Sequence, residues 1–205
     1  MTGTDAAPLL EAGALDETGL EGSTGLSWEP VEGATDDTDL PACADLTTVG
    51  EGPLAAVVAE ERSGSFAGEV PGGPTTTSAS VRGAVLVYAD DSSAEAALAA
   101  VDAGLLATCI APSVTEGAAA EIEVEEGGAP TAGDDGVALA SELDDYVFFG
   151  GNDNFHRTEL VVARTGPVLV VVQVIASSQS FEGVDVGAVA HDAAVHAVAG
   201  VEEAR

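Results

Sequence analysis

The sequence predicts an α+β domain: a largely antiparallel, twisted sheet of about five to six strands, packed against helices. Three observations predict it. The stretch His156–Ser177, HRTELVVARTGPVLVVVQVIAS, holds two strongly apolar runs joined at Arg164-Thr165-Gly166-Pro167. Ser78–Cys109 reads as a strand, a set of capping side chains and an Ala-rich helix. The chain then closes on Val184–Ala204, whose Val and Ala residues recur at helical spacing. Hairpin connections dominate the second half, which favours antiparallel pairing over a doubly wound sheet.

The elements follow in order. Pro8–Leu15 is a short helix contacting the core through Leu9, Leu10, Ala14 and Leu15, and Gly13, Gly19, Gly22 and Gly25 oppose its continuation. Trp28, in SWEP, is the only tryptophan and reads as an anchor packing a loop to the core. Thr35–Ala44 is an acidic turn region, and Pro53–Glu61 fits a helix or a strand equally well. Ser63–Thr77, rich in Gly, Pro, Ser and Thr, reads as a loop interrupted by Phe66. Ser78–Ala89 is a strand, after which Asp90-Asp91-Ser92-Ser93 offers caps to one helix running to Cys109, broken or bent at Gly104. Its buried stripe is Ala94, Ala97, Leu98, Val101 and Leu105.

Ala119–Glu126 alternates Ala120, Ile122 and Val124 with Glu121, Glu123 and Glu125, the pattern of a strand with one wet face. The glutamates read as a solvated face that blocks edge pairing rather than as a metal site. Gly136–Leu143 is a further strand. In the hairpin that follows, glycine supplies positive φ and proline fixes φ where the second strand begins. Val168–Ile175 is nearly all β-branched, as a strand covered on both faces is. It is far shorter than the ~20 residues a membrane-spanning helix needs. Phe181–Gly183 is a turn, and Val186, Val189, Ala190, Ala193 and Ala197 form the buried stripe of the last helix.

At 205 residues the chain reads as a single domain, 1–205, large enough to bury its own core, with 1–7 and 116–136 as its flexible parts. Thirty-six acidic residues face five arginines and no lysine, for a net charge of −31. Such a charge repels phosphate backbones and anionic head groups and argues against a general nucleic-acid or membrane-surface role. Solubility in a salty medium is the plainer explanation, and a dedicated cation-binding surface the sharper one. The two cysteines, Cys43 and Cys109, are too few for a zinc ribbon. They are either a disulfide, closing a loop of roughly 65 residues worth about 4 kcal/mol, or two unrelated buried thiols. The N-terminus has no basic region and no long apolar core, so either the protein is cytosolic or its export signal is absent from this sequence.

No GxSxG, HExxH, Walker or EF-hand pattern occurs. Gly50–Ala55 formally matches GxGxxA, but no strand precedes it and Pro53 interrupts the turn. His191 and His196 lie five apart on one helix and cannot share an ion unaided. With His156 they read as ordinary histidines, and the carboxylate pairs in loops as a consequence of an acidic composition. Neither a catalytic residue, a metal site nor a cofactor is indicated. The scarce arginines are more informative: Arg82, Arg157 and Arg164 fall within or at the ends of strands, where a guanidinium pairs with carboxylates or offers its fork of donors to a ligand. Tyr146 and Phe148, followed by an amide-rich loop with Asn152 and Asn154, are the further ligand-facing candidates.

The early PLLEAGAL helix, a cysteine in PACAD, the strand VRGAVLVYAD and the capped helix ending in ATC form one recurring order with the VVARTGPVLVVVQV hairpin and the terminal Val/Ala helix. From Pro8 to Val201 this resembles the extracellular sensor domain of PknH-type mycobacterial serine/threonine kinases, found also in actinobacterial lipoproteins. The resemblance implies an exported domain, a helix-flanked sheet with a cleft for an unidentified small-molecule or cell-envelope ligand, and no catalysis. It implies a Cys43–Cys109 disulfide; the second pair that members often carry is absent here. No kinase domain, transmembrane segment or lipobox cysteine is present, so no membrane insertion is implied, and a monomer is expected. The first functional reading is thus a non-enzymatic extracytoplasmic ligand-binding or sensor domain, binding in a groove beside the hairpin with ordering of Gly150–Asn154. The alternatives are a hydrolase of unrecognised type and an acidic cell-surface interaction module.

Overall fold

The computed structural model describes residues 3–16, 19–20, 26–30, 65–69, 77–110, 122–128, 130–144, 155–179, 181 and 184–205. Their elements are α1 (Gly3–Ala12), β1 (Ser27–Pro30), β2 (Ser65–Glu69), β3 (Ser78–Val87), α2 (Asp91–Leu98) and α3 (Ala103–Ile110). These are followed by β4 (Glu125–Glu126), β5 (Asp135–Asp144), β6 (Phe155–Thr165), β7 (Val168–Ser178) and α4 (Val186–Ala204). The strands form one sheet in the order β1-β2-β3-β7-β6-β5-β4, and every neighbouring pair is antiparallel. With helices packed on it, the sheet makes an α+β arrangement.

The β-branched run predicted to be covered on both faces is β7, buried at every position but Ser177. It lies between β3 and β6, with Val172 opposite Gly83 on one side and Val161 on the other. Because side chains alternate across a strand, Val168, Val170, Val172, Val174 and Ala176 point to a first face. There they join Val81, Val85 and Val161 under Leu9 and Leu10 of α1 and Val189, Ala193, Ala197 and Val201 of α4. Leu169 and Val171 point to the second face, with Ala84, Leu86, Leu139 and Leu160, under Ala94 and Leu98 of α2 and Leu106 of α3. All five residues of the stripe predicted on the last helix are buried. The two helices of the first face approach so closely that a Cβ on Gly200 would strike the Ala12 carbonyl oxygen, so only glycine fits there.

The hairpin turn is Gly166-Pro167, with Gly166 at φ 56°, as a two-residue loop with glycine first requires. The Gly166 N–H donates to Asp134 Oδ2 at 2.7 Å, and Arg205 Nη1 donates to Thr165 Oγ1 at 3.1 Å. The end of β3 is tied to the same turn, the Tyr88 N–H donating to the Pro167 carbonyl at 2.8 Å. Burial of its ring pushes the Tyr88 phenol up to about 12.

Several expectations are corrected. Loops were expected where β1 and β2 form, and with them the antiparallel sheet has seven strands among the described residues. Residues SFAGE carry no strand pattern of their own, and their backbone is held by pairing Ser65–Glu69 with Ser78–Arg82. Trp28 does pack against the first-face core, but from strand β1. The first helix begins earlier than expected and contains Pro8. The single helix expected before Cys109 is two helices, interrupted at residues 99–102 rather than at Gly104. Asp102 causes this, its Oδ1 accepting the Leu105 N–H at 2.9 Å and so starting α3 afresh. The cap expected for the preceding helix is Asp90, which accepts from the Ser93 N–H and from both serine hydroxyls at 2.8 Å. Those serine hydrogen bonds hold its carboxyl below the usual range. Of the described residues of the alternating stretch before Gly127, 122–126, only Glu125–Glu126 is strand, although Ile122 and Val124 do pack on the second-face core.

Candidate functional site

On the first face α4 lies over β6 and β7. The residues of β5 that point the same way, Ala138 and Ala140, are short and only half-buried. The result is an open recess of ≈ 520 Å³ between the start of α4 and the β4–β5 edge. Small residues leave the space: Ala138 and Ala140 on the sheet side, Gly187 and Ala188 on the helix side. Arg157, Glu159 and Val161 of β6 line it from within, and Glu125, Glu126, Asp185, His191 and Asp192 stand around it.

The charged pair is placed by strand periodicity. Arg157 and Glu159 are two apart, so both side chains leave β6 on the first face. Arg157 Nε donates to Glu159 Oε1 at 2.7 Å, and its Nη1 lies 3.6 Å from Glu142 Oε2, on the residue directly opposite in β5. Glu159 is 5% exposed, whereas most carboxylates among the described residues stand in water. Burial pushes its carboxyl above the ordinary range. Arg157 opposes that shift, while Asp185 and Glu125 reinforce it. Burial works against the charged form of Arg157, but the hydrogen bond and charge of Glu159, then Glu142 and Asp185, hold its guanidinium above its ordinary value. Asp185 caps α4, its Oδ1 accepting the Ala188 N–H at 3.0 Å. A buried carboxylate is costly unless compensated, and here one guanidinium is shared between two acids.

Of the described residues predicted to face a ligand, Arg157 alone lines this recess. Arg82 lies opposite Gln173 in the β3–β7 pairing, on the second face of the sheet. Arg164 stands at the hairpin, with Nη1 3.3 Å from the Gly166 carbonyl oxygen and 3.6 Å from Asp134 Oδ2. Tyr146, Phe148, Asn152 and Asn154 lie outside the described residues, as does the Gly150–Asn154 loop. So does Cys43, while Cys109 is in the last turn of α3 with its side chain outside them. The histidines are dispersed: His191 Nε2 is 3.2 Å from Thr131 Oγ1, and His196 Nε2 is 3.2 Å from Asp16 Oδ1. His156 leaves β6 on the second face. Sequence reasoning missed Glu159 and Asp185. The signal for Glu159 was there, since an Arg and a Glu at period two inside an apolar strand share a face.

The fold is thus an α+β sheet domain backed by helices on both faces, with an acidic recess at one flank. No protein-family model matches the chain, and no curated protein matches it. Among solved structures it is similar to the extracellular domain of PknH from Mycobacterium tuberculosis, at 14% identity and a TM-score of 0.49 over 95% of each chain. It is also similar to LpqN, involved in cell envelope biogenesis of Mycobacterium tuberculosis, at 12% identity and a TM-score of 0.29 over 84% of this chain and 87% of that one. Both likenesses are too remote to assign a function. Among the described residues no helix is long and apolar enough to cross a membrane.

Proposed function

We propose that this chain is a non-catalytic ligand-binding domain of an exported protein, taking a small molecule in the recess beside β6. The observation that carries this reading is the recess itself, built around the buried Arg157–Glu159 pair. Its ≈ 520 Å³ falls within the range of small-molecule sites. Export rests on the sequence pattern that resembles extracellular sensor domains, and a Cys43–Cys109 disulfide belongs to that reading.

Two measurements test it. Fractionated actinobacterial envelope extract added to the purified chain raises its melting temperature by several degrees, since a ligand selective for the native state stabilises by mass action. A screen without any shift, together with turnover of a chromogenic ester or glycoside, overturns the binding reading. For the compartment, thiol titration of exported protein under denaturing, non-reducing conditions finds no reactive thiol. Finding both thiols free overturns export with a disulfide.

A further inference from the structure

We propose that the recess binds a small organic cation, its ammonium or guanidinium head seated between Glu159 and Asp185 and its carbon body lying along Ala138, Ala140 and Val161. This rests on the reading of the recess as a binding site and goes further by naming the ligand's chemistry. Charge is the first argument. Five carboxylates line the recess, from Glu125, Glu126, Glu159, Asp185 and Asp192, against Arg157 and His191. In so acidic a chain a solvated rim means little. Glu159 is different, because it is buried and its one cationic partner is drawn also toward Glu142. Geometry is the second argument. A Cβ placed on Gly187 would sit 3.5 Å from Glu159 Oε1 and 3.5 Å from Asp185 Oδ1. The space left by that missing side chain is therefore bordered by two carboxylate oxygens, Glu159 Oε1 and Asp185 Oδ1, each of which accepts one N–H and has lone-pair capacity for a further donor. A cationic donor there adds charge-assisted hydrogen bonds and relieves the excess negative potential.

Surroundings decide between an ion and an organic head. Among the described residues no three side chains of His, Cys, Asp or Glu converge to hold a metal ion. The remaining walls are short and apolar, which suits methylene groups rather than a hydrated cation. Arg157 marks the geometry from the protein's own side, since Glu159 already accepts a guanidinium N–H at 2.7 Å.

Agmatine, with a guanidinium at one end and an ammonium at the other, is the probe, titrated calorimetrically into the full chain at low ionic strength. Pentane-1,5-diol and glutarate serve as neutral and anionic controls. Agmatine binds at one to one, and the controls bind at least tenfold more weakly. Gly187→Leu fills the recess with every charge retained. Its Cβ meets only ordinary contacts and leucine is a better helix former than glycine, so the variant folds with a melting temperature at or above the parent's while agmatine affinity falls at least tenfold. Glu159→Gln lowers affinity similarly, and Gly187→Leu keeps the test valid if that variant is unstable. Many weak agmatine sites insensitive to Gly187→Leu, the signature of a counter-ion atmosphere, overturn the proposal. If an envelope fraction shifts the melting temperature and Gly187→Leu abolishes that shift while agmatine does not bind, the recess stands as a site and the cation assignment falls. If Gly187→Leu alters neither, both fall.

Discussion

Two parts of the same sheet face are built in opposite ways. Over β3, β7 and β6, side chains such as Val81, Val170, Val172 and Val174 are sealed beneath α1 and α4 with 0 to 1% exposure. One strand further, on β5, the positions facing the same way hold Ala138, Ala140 and Glu142, and α4 no longer covers them. The first part spends its side chains on volume and the second withholds it. Packing density stabilises the fold, whereas a run of small residues beside a buried ion pair makes room at a cost to stability.

The contrast can be broken from its sealed side. Val172→Asp buries a carboxylate with no partner and is expected to cost about 4 kcal/mol or more, seen in urea as loss of the cooperative transition. Ala138→Thr on the open side stays within about 0.5 kcal/mol of the parent. Equal effects of the two would end the distinction. A smaller effect sharpens it from the recess. Arg157→Ala strands the Glu159 carboxylate and costs about 2 kcal/mol, less than for a fully buried pair because Arg157 is part-exposed. The double replacement Arg157→Met with Glu159→Leu recovers most of that loss in the same denaturation experiment. Recovery means that the charges are retained for something other than stability.

The pH dependence is a gentler probe. Because burial raises the Glu159 carboxyl, at a pH between its ordinary and its raised pKa the native chain holds a proton there that the unfolded chain has released. Glu159 therefore stabilises the fold relative to its ionised form below its folded pKa. That contribution is lost as pH rises from the ordinary carboxylate range through the raised value. Glu125 and Glu126 on β4, Glu142 on β5, Arg157 on β6, Asp185 capping α4, and His191 and Asp192 on α4 face or flank the group. Melting temperature against pH is expected to lose this one downward step in Glu159→Gln and keep the rest. Smallest of all, Gly187→Ala near the start of α4 raises stability by about 0.5 kcal/mol through helix propensity, measured by chemical denaturation.

How far these features were legible depends on whether their cause is local. The β6–β7 hairpin, the Asp90 cap and the α4 stripe are written in adjacent residues, and the structure has them where the sequence put them. β1 and β2 are not written so, because SWEP and SFAGE become strands only by pairing outward from β3. The break before α3 was placed at the glycine, while the cap of Asp102 decided it. In the site, Arg157 stood out because arginine is rare here. Glu159 and Asp185 were lost among thirty-six acids, and Gly187 contributes by lacking a side chain, which matters only once β6 lies beside it.

The strand order carries a consequence for how the chain comes together. β3 has β2 on its outer edge but waits for β7 on its inner one, where Ser78 meets Ser177 and Val87 meets Val168. The entropy of closing so large a loop is spent before the central contacts return anything. A nascent chain that ends short of the last strand therefore leaves β3 with a bare inner edge, and the middle of the sheet is its final piece to be set.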